Sequence, residues 1–385
     1  MNDRERGLMA LNHQEPDRVP LDFGGRHTTV HLYAHQALMQ HLGYSGPEPA
    51  IRNYHTMLVE PDPQLLRRFE RVTQVFFPSS PSDFELHIDH ETGTYVDEWG
   101  VKYLMPPGGY YYDMHENPLA EAETEADLAA YRFPNPTDPS RIAGLAERVK
   151  AAREAGEKVI MVGAPIGGML EQSWYLLGLE RSYIQLAADP TFMEALADRL
   201  LEWLLAYWDM TLDVVGPYID VVPYQDDLGG QNGPLISPAI FRRIYKPRMR
   251  QLLDAMRKKT SAKIYMHSCG SVRWAIPDLI DCGVEALNPV QVSAAEMDSA
   301  VLKREFGRDL TFWGGGCDPV VLQYGTPKEV ADEVQRRIQD LAPGGGFIFG
   351  SVHNIQANVP PENIVAFYDA AREYGGYPIE ASAGR

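Results

Sequence analysis

Three residues in this chain have the types and placement to hold a metal ion: His267, Cys269 and Cys317. His267 and Cys269 stand two apart, and on an extended segment such side chains point the same way, so an imidazole and a thiolate can meet one ion. Cys317 follows Gly314-Gly315-Gly316, a run that lets a loop turn inward. One nitrogen and two sulfurs suit zinc in a tetrahedral site, with the fourth position open to water or substrate. The remaining cysteine, Cys282, lies in the apolar helix end Ile280-Asp281-Cys282-Gly283 and reads as a core or capping position. The glycine runs at 314–316 and 344–346 match neither a dinucleotide fingerprint nor a P-loop.

Cys317 lies far from the His267–Cys269 pair in sequence, so the fold must bring them together. Eight short apolar, β-branched runs predict strands at 19–23, 73–77, 159–163, 220–224, 263–267, 285–289, 310–313 and 346–349. Most are followed by a Gly/Pro/Asp-rich turn and then a helical pattern. Helix starts are marked by Asp189-Pro190, by Ser237-Pro238 with a kink expected at Pro247, by the capping box Thr326-Pro327-Lys328-Glu329, and by Pro361-Glu362. Eight alternating units predict a single α/β domain over residues 1–385, a (β/α)8 TIM-type barrel. The stretch 78–136 breaks the rhythm. Its alternation around Trp99-Gly100 predicts a β-hairpin insertion near the barrel mouth.

In such a barrel the chemistry sits at the C-terminal ends of the strands, where polar and glycine residues gather here. Asp22, Asp226 and Asp227 are the candidates for handling protons. Glu171, Trp174, Tyr175, Tyr224, Asn288, Trp313 and His353 are the candidates for lining a substrate pocket.

Composition bounds the setting. The net charge of −18, from 53 acidic and 35 basic residues, disfavours nucleic acid and anionic membrane surfaces as partners. The most apolar helical stretch, 200–215, is interrupted by Glu202, Asp209 and Asp213, so no membrane span is expected. The charged N-terminus lacks an apolar signal region, and three cysteines make no disulfide framework. The expected location is the cytoplasm.

Several motifs resemble the uroporphyrinogen decarboxylase superfamily: Asp17-Arg18-Val19-Pro20-Leu21-Asp22-Phe23, Asp97-Glu98-Trp99-Gly100, Asp226-Asp227-Leu228-Gly229 with Ile236-Ser237-Pro238 after it, His267-Ser268-Cys269-Gly270, and Pro361-Glu362-Asn363-Ile364. The resemblance covers essentially the whole chain and implies a (β/α)8 barrel. The decarboxylases' Arg-Gln-Ala-Gly-Arg motif is absent from the N-terminal region. His267-x-Cys269 is instead similar to the corrinoid-dependent methyltransferase branch, where His, Cys and a distant Cys bind zinc. In that branch's coenzyme M methyltransferases the last cysteine lies in a Pro-Gly-Cys-Gly segment near the final strand. This chain has Pro343-Gly344-Gly345-Gly346 there, which leaves Cys317 as the substitute ligand.

The resemblance therefore implies methyl transfer between a small substrate, a methoxy compound or a thiol, and a corrinoid supplied by a partner protein, with zinc as Lewis acid. The alternatives are a decarboxylase or lyase of a carboxylic acid, and a non-catalytic barrel that binds zinc or a corrinoid protein.

Overall fold

The computed structural model describes residues 1–381. Seven parallel strands form one curled sheet: β1 (Thr73–Phe76), β2 (Val159–Val162), β3 (Val221–Gln225), β4 (Lys263–His267), β5 (Ala286–Asn288), β6 (Thr311–Trp313) and β7 (Phe347–Ile348). Each pairs with the next in chain order. The expected first strand, 19–23, takes part through single bridges rather than a ladder. Asp22 N–H donates to Phe349 O, Phe349 N–H to Pro20 O, and Val72 N–H to Leu21 O, so the segment lies between the chain leaving β7 and the chain entering β1. Pro20 has no N–H to donate and Gly24-Gly25 follow at once, which limits this pairing to a residue or two.

Both faces of the sheet are buried, as parallel sheets require. Val159, Met161, Val221, Tyr265, Ala286, Trp313 and Ile348 point inward and meet Ala10 and Leu11 of α1 (Asp3–Leu11). The intervening Ile160, Val162, Val222, Ile264, Met266, Leu287, Phe312 and Phe347 pack outward in the second cluster, with the helices. Burying each such side chain contributes roughly 1.5–3 kcal/mol before entropy is subtracted. The barrel interior is thus filled below its mouth, and solvent and ligands have only the upper end to use.

The helix starts read from the sequence are present. Asp189 caps α2 (Pro190–Val215) by accepting from the N–H groups of Thr191 and Phe192. Thr326 and Glu329 form the capping box of α3 (Pro327–Leu341). The kink expected at Pro247 takes the form of a π-helical turn, Phe241–Tyr245, just before the proline. A proline cannot donate to the carbonyl one turn back, and the widened turn absorbs that loss.

Within 78–136, Thr94–Val96 pairs antiparallel with Lys102–Leu104, and Ile88–Asp89 and Asp113–Glu116 complete a four-stranded sheet. Asp97 holds the turn by accepting from the N–H groups of Trp99 and Val101 and from Tyr103 Oη. Trp99 packs at a tilt against Trp203 of α2, ring centroids 5.1 Å apart, and the Glu98–Arg141 ion pair ties the same turn down. From the other side, Tyr111 Oη donates to Gln356 Oε1 and His31 Nε2 lies 2.8 Å from Tyr110 O, so the tyrosine run reaches the residues after β7. No helix among the described residues is long and apolar enough to cross a membrane.

Candidate metal centre at the barrel mouth

Gln225, His267 and Asn288 are the last residues of β3, β4 and β5 and share one rung of the sheet. Parallel register therefore sets three polar side chains in a row at the C-terminal edge. Asn288 Nδ2 donates to Trp313 O at 2.9 Å, which leaves its Oδ1 as the acceptor facing His267 Nδ1 at 2.6 Å. His267 accordingly carries its proton on Nδ1, and the Nε2 lone pair points to Cys269 Sγ, 3.5 Å away. From below, the His27 ring stacks on His267 with centroids 3.9 Å apart.

Cys269 is held by the neighbouring loop. Its N–H donates to Asp227 Oδ1 at 2.8 Å, and Gly270 presses against Gly229, where a Cβ on Gly270 would lie 2.1 Å from Gly229 O. Only glycine allows the two backbones that close. His353, five residues beyond β7, brings the third donor. One ligand atom each from His267, Cys269 and His353 lies within 4.8 Å of the others, a set that can hold a metal ion.

The electrostatics favour a cation there. Burial lowers the pKa of His267, against the pull of Asp227, and burial also lowers that of His353. Both imidazoles are thus kept in the neutral, ligating form. Burial, reinforced by Asp227 and Glu171, pushes the Cys269 thiol well above its ordinary value. A positive ion between these donors would reverse that penalty and stabilise the thiolate. Glu171, in the first turn of α4 (Met169–Leu177), accepts from Gln225 Nε2 at 3.1 Å. Its carboxyl is raised above the usual carboxylate range, first by burial and then by the charge of Asp227.

Not every sequence candidate reaches this centre. Cys317 does not join the donor set: it is buried, its Sγ contacts Asp318 O, and its charged neighbours include Glu333 and Arg337 of α3. Gly314 and Gly315, at φ +80° and +87°, turn the loop along Val290 and Ser351 instead of across the mouth. Asp22 is saturated, accepting from Thr73 N–H, Thr73 Oγ1, Thr28 Oγ1 and Trp313 Nε1. It braces the barrel wall and has no lone pair to spare for a reacting group. Asp226 is likewise committed. It accepts from the N–H groups of Leu170 and Glu171 and from Tyr224 Oη, and so caps α4 from outside that helix. Burial pushes it up to about 7. Gly168 makes room for it, since a Cβ there would lie 2.4 Å from the Asp226 carboxyl.

Tyr224 and Trp313, expected as pocket wall, are fully buried; one fastens Asp226 and the other packs edge-on to Tyr265 at 5.2 Å, inside the barrel. Trp174 packs against Tyr183, while Tyr175 is close enough to Glu171 and Asp227 for both to raise its pKa after burial does. Asn288 orients His267 and Asp227 borders Cys269.

Four residues that sequence reasoning gave no role stand at the centre. His27 bridges Tyr265 Oη at 2.9 Å and Gln225 Oε1 at 3.1 Å, and Arg26 Nη2 lies 3.3 Å from the same Gln225 oxygen. Arg26 and His27 follow a glycine pair after the first predicted run, a strand-end signal that was present. Gln225 was hidden because the sequence ends its strand one residue early, and Tyr265 because it reads as core.

The family model of uroporphyrinogen decarboxylase (URO-D) matches residues 100–374. This chain belongs to the URO-D family. Among curated URO-D family members, the uroporphyrinogen decarboxylase of Pseudoalteromonas atlantica is 21% identical over 279 residues, covering 69% of this chain and 74% of its own length. That of Pseudomonas fluorescens is 22% identical over 276 residues, covering 69% and 73%. Among solved structures, a methyltransferase from Methanosarcina mazei superposes with a TM-score of 0.60 at 20% identity, covering 97% of this chain and 99% of that one. The likeness extends the URO-D fold over the full barrel. In this chain residues 343–346 precede β7 and lie at the opposite end of the barrel, whereas His353 follows β7 and sits at the mouth with His267 and Cys269.

Proposed function

We propose that this chain is a zinc-dependent methyltransferase that moves a methyl group between a small substrate, a methoxy compound or a thiol, and a corrinoid carried by a partner protein. The observation that carries the reading is the convergence of His267, Cys269 and His353. Nitrogen and sulfur donors suit zinc, whereas magnesium and calcium take oxygen. Three protein donors leave a fourth position for water or substrate. Bound there, zinc would supply a Lewis acid that polarises a methoxy oxygen or keeps a thiol ionised.

The chain's own residues would do the rest. Asn288 keeps the His267 Nε2 lone pair facing the donor set, and Asp227 anchors the Cys269 backbone. Glu171, raised by burial and by Asp227, holds a proton at its carboxyl toward neutral pH and can give it to the oxygen that loses its methyl group. Gln225 Nε2 fixes the direction of that carboxyl. The same reading keeps residues 1–385 as one barrel domain, with 78–136 as its insertion, working in the cytoplasm.

The names of the curated relatives favour a second reading, decarboxylation of a carboxylic acid. One experiment separates the two. The purified chain is assayed for zinc and then for methylation of cob(I)alamin by methoxy donors, followed by the cobalamin absorbance spectrum. Stoichiometric zinc and donor-dependent methylcobalamin are expected. Release of carbon dioxide by metal-stripped protein, without cobalamin, would establish decarboxylation instead.

A further inference from the structure

Beside the donor set lies a cavity of about 200 Å³ that shares His353 as one wall. Its other walls are Leu58, Tyr111 and His31, and the polar side chains of Thr56, Asn354 and Gln356. None of these is a carboxylate, an ammonium or a guanidinium. The charged groups of the mouth, Arg26, Glu171 and Asp227, do not line it.

Most polar atoms on the wall are already committed. His31 Nδ1 accepts from Tyr33 N–H and its Nε2 faces Tyr110 O, so the ring is neutral with both nitrogens occupied. Burial lowers its pKa further. Asn354 Oδ1 accepts from Thr29 N–H, Gln356 Oε1 from Tyr111 Oη, and Gln356 Nε2 donates to Asn354 O. Thr56 Oγ1, by contrast, is buried with no partner. A buried hydroxyl left unpaired is unfavourable, and a ligand oxygen would relieve it. Two of the walls are aromatic, His31 and Tyr111, 5.2 Å apart, and the exposed Tyr33 and Tyr110 rings pack against His31.

We infer that this cavity is the seat of the methyl donor, and that its occupant is an uncharged single-ring methyl ether. The ring lies against Tyr111, His31 and Leu58, and one oxygen hydrogen-bonds Thr56 Oγ1. The inference rests on the methyltransferase reading for the word donor, and on the cavity alone for the charge and size of the ligand. An apolar cavity of about 150 Å³ holds benzene, and drug-sized ligands need about 300–1,000 Å³, so this volume suits one ring with small substituents. A carboxylate or sulfonate seated against this wall would lose its hydration and meet no cationic side chain there.

The test is calorimetric titration of the full-length zinc-loaded chain, without cobalamin, with 2-methoxyphenol and with 2-methoxybenzoate. The phenol is expected to bind at least tenfold tighter than the carboxylate. Thr56→Val is expected to weaken phenol binding by about three- to tenfold, the range of one neutral hydrogen bond. Thr56→Phe, which fills the cavity, is expected to abolish binding while thermal unfolding stays near wild type; if that variant unfolds, Tyr111→Ala supplies the second measurement, with weakened ring binding expected. Equal or tighter carboxylate binding, or phenol binding unchanged in Thr56→Val and in the second variant, would overturn the inference. Phenol binding that obeys these rules without methyl reaching cobalamin upholds the ligand class and removes the methyltransferase reading. Methyl transfer that is indifferent to these substitutions does the reverse.

Discussion

In the wall of the barrel, Asp22 accepts four hydrogen bonds, and Asp226, beneath the first turn of α4, accepts three. At the mouth, His267 Nε2 and Cys269 Sγ face mainly each other, and Thr56 Oγ1 faces nothing. The two regions lie close together around the strand ends, yet they spend their polar groups in opposite ways. A buried carboxylate whose lone pairs are all taken holds elements together. Donors held in place by other residues but left short of partners mark where an ion or ligand is to complete the set.

Substitutions that cross this boundary should separate loss of metal from loss of stability. The largest effect is expected at the mouth: Cys269→Ser and His353→Ala should each reduce bound zinc from stoichiometric to a small fraction, read by mass spectrometry of the purified protein, with little change in urea stability of the metal-free form. Zinc retained in both variants would sink the proposed centre. Next, Asp22→Ala should cost about 3 kcal/mol or more, because the donors of Thr73, Thr28 and Trp313 lose their acceptor in the interior. The midpoint of urea unfolding should fall, while the folded fraction still binds zinc. An Asp22→Ala protein of normal stability that had lost its activity would return Asp22 to a proton-handling role.

Asn288→Ala sits between the regions. Removing the acceptor at His267 Nδ1 frees the imidazole to turn, and a 10–100-fold loss of zinc affinity is expected, measured by competition with a chelator. The smallest effect belongs to Cys317→Ser, which should leave zinc content unchanged, since its sulfur lies with Asp318 and the charges of α3. A drop in zinc there would draw Cys317 back into the centre.

Legibility from sequence followed the same division. The strand runs at 73–77, 159–163 and 263–267 match the observed β1, β2 and β4 within a residue, because β-branched, aromatic and apolar residues concentrate there and the bounding turns carry strong signals. The run at 19–23 is a fainter match, since Pro20 and the glycine pair cut its pairing short. Among the acids, residue type could not tell Asp227, which borders Cys269, from Asp226 beside it, which caps a helix. Adjacent residues on an extended segment point opposite ways, and which of them faces the mouth depends on where the strand stops.

The sequence by itself determined the barrel class and the pair His267 and Cys269, because a strand-end His-x-Cys places both donors on one side by local geometry alone. It named Cys317 as the third ligand and His353 as pocket lining, although each stands just past a strand. Only the tertiary structure chose between them. The loop after β6 is carried aside by Gly314 and Gly315, and the loop after β7 carries His353 in toward β4. That choice depends on how a curled sheet brings distant strand ends together, and on no property of the residues flanking either candidate.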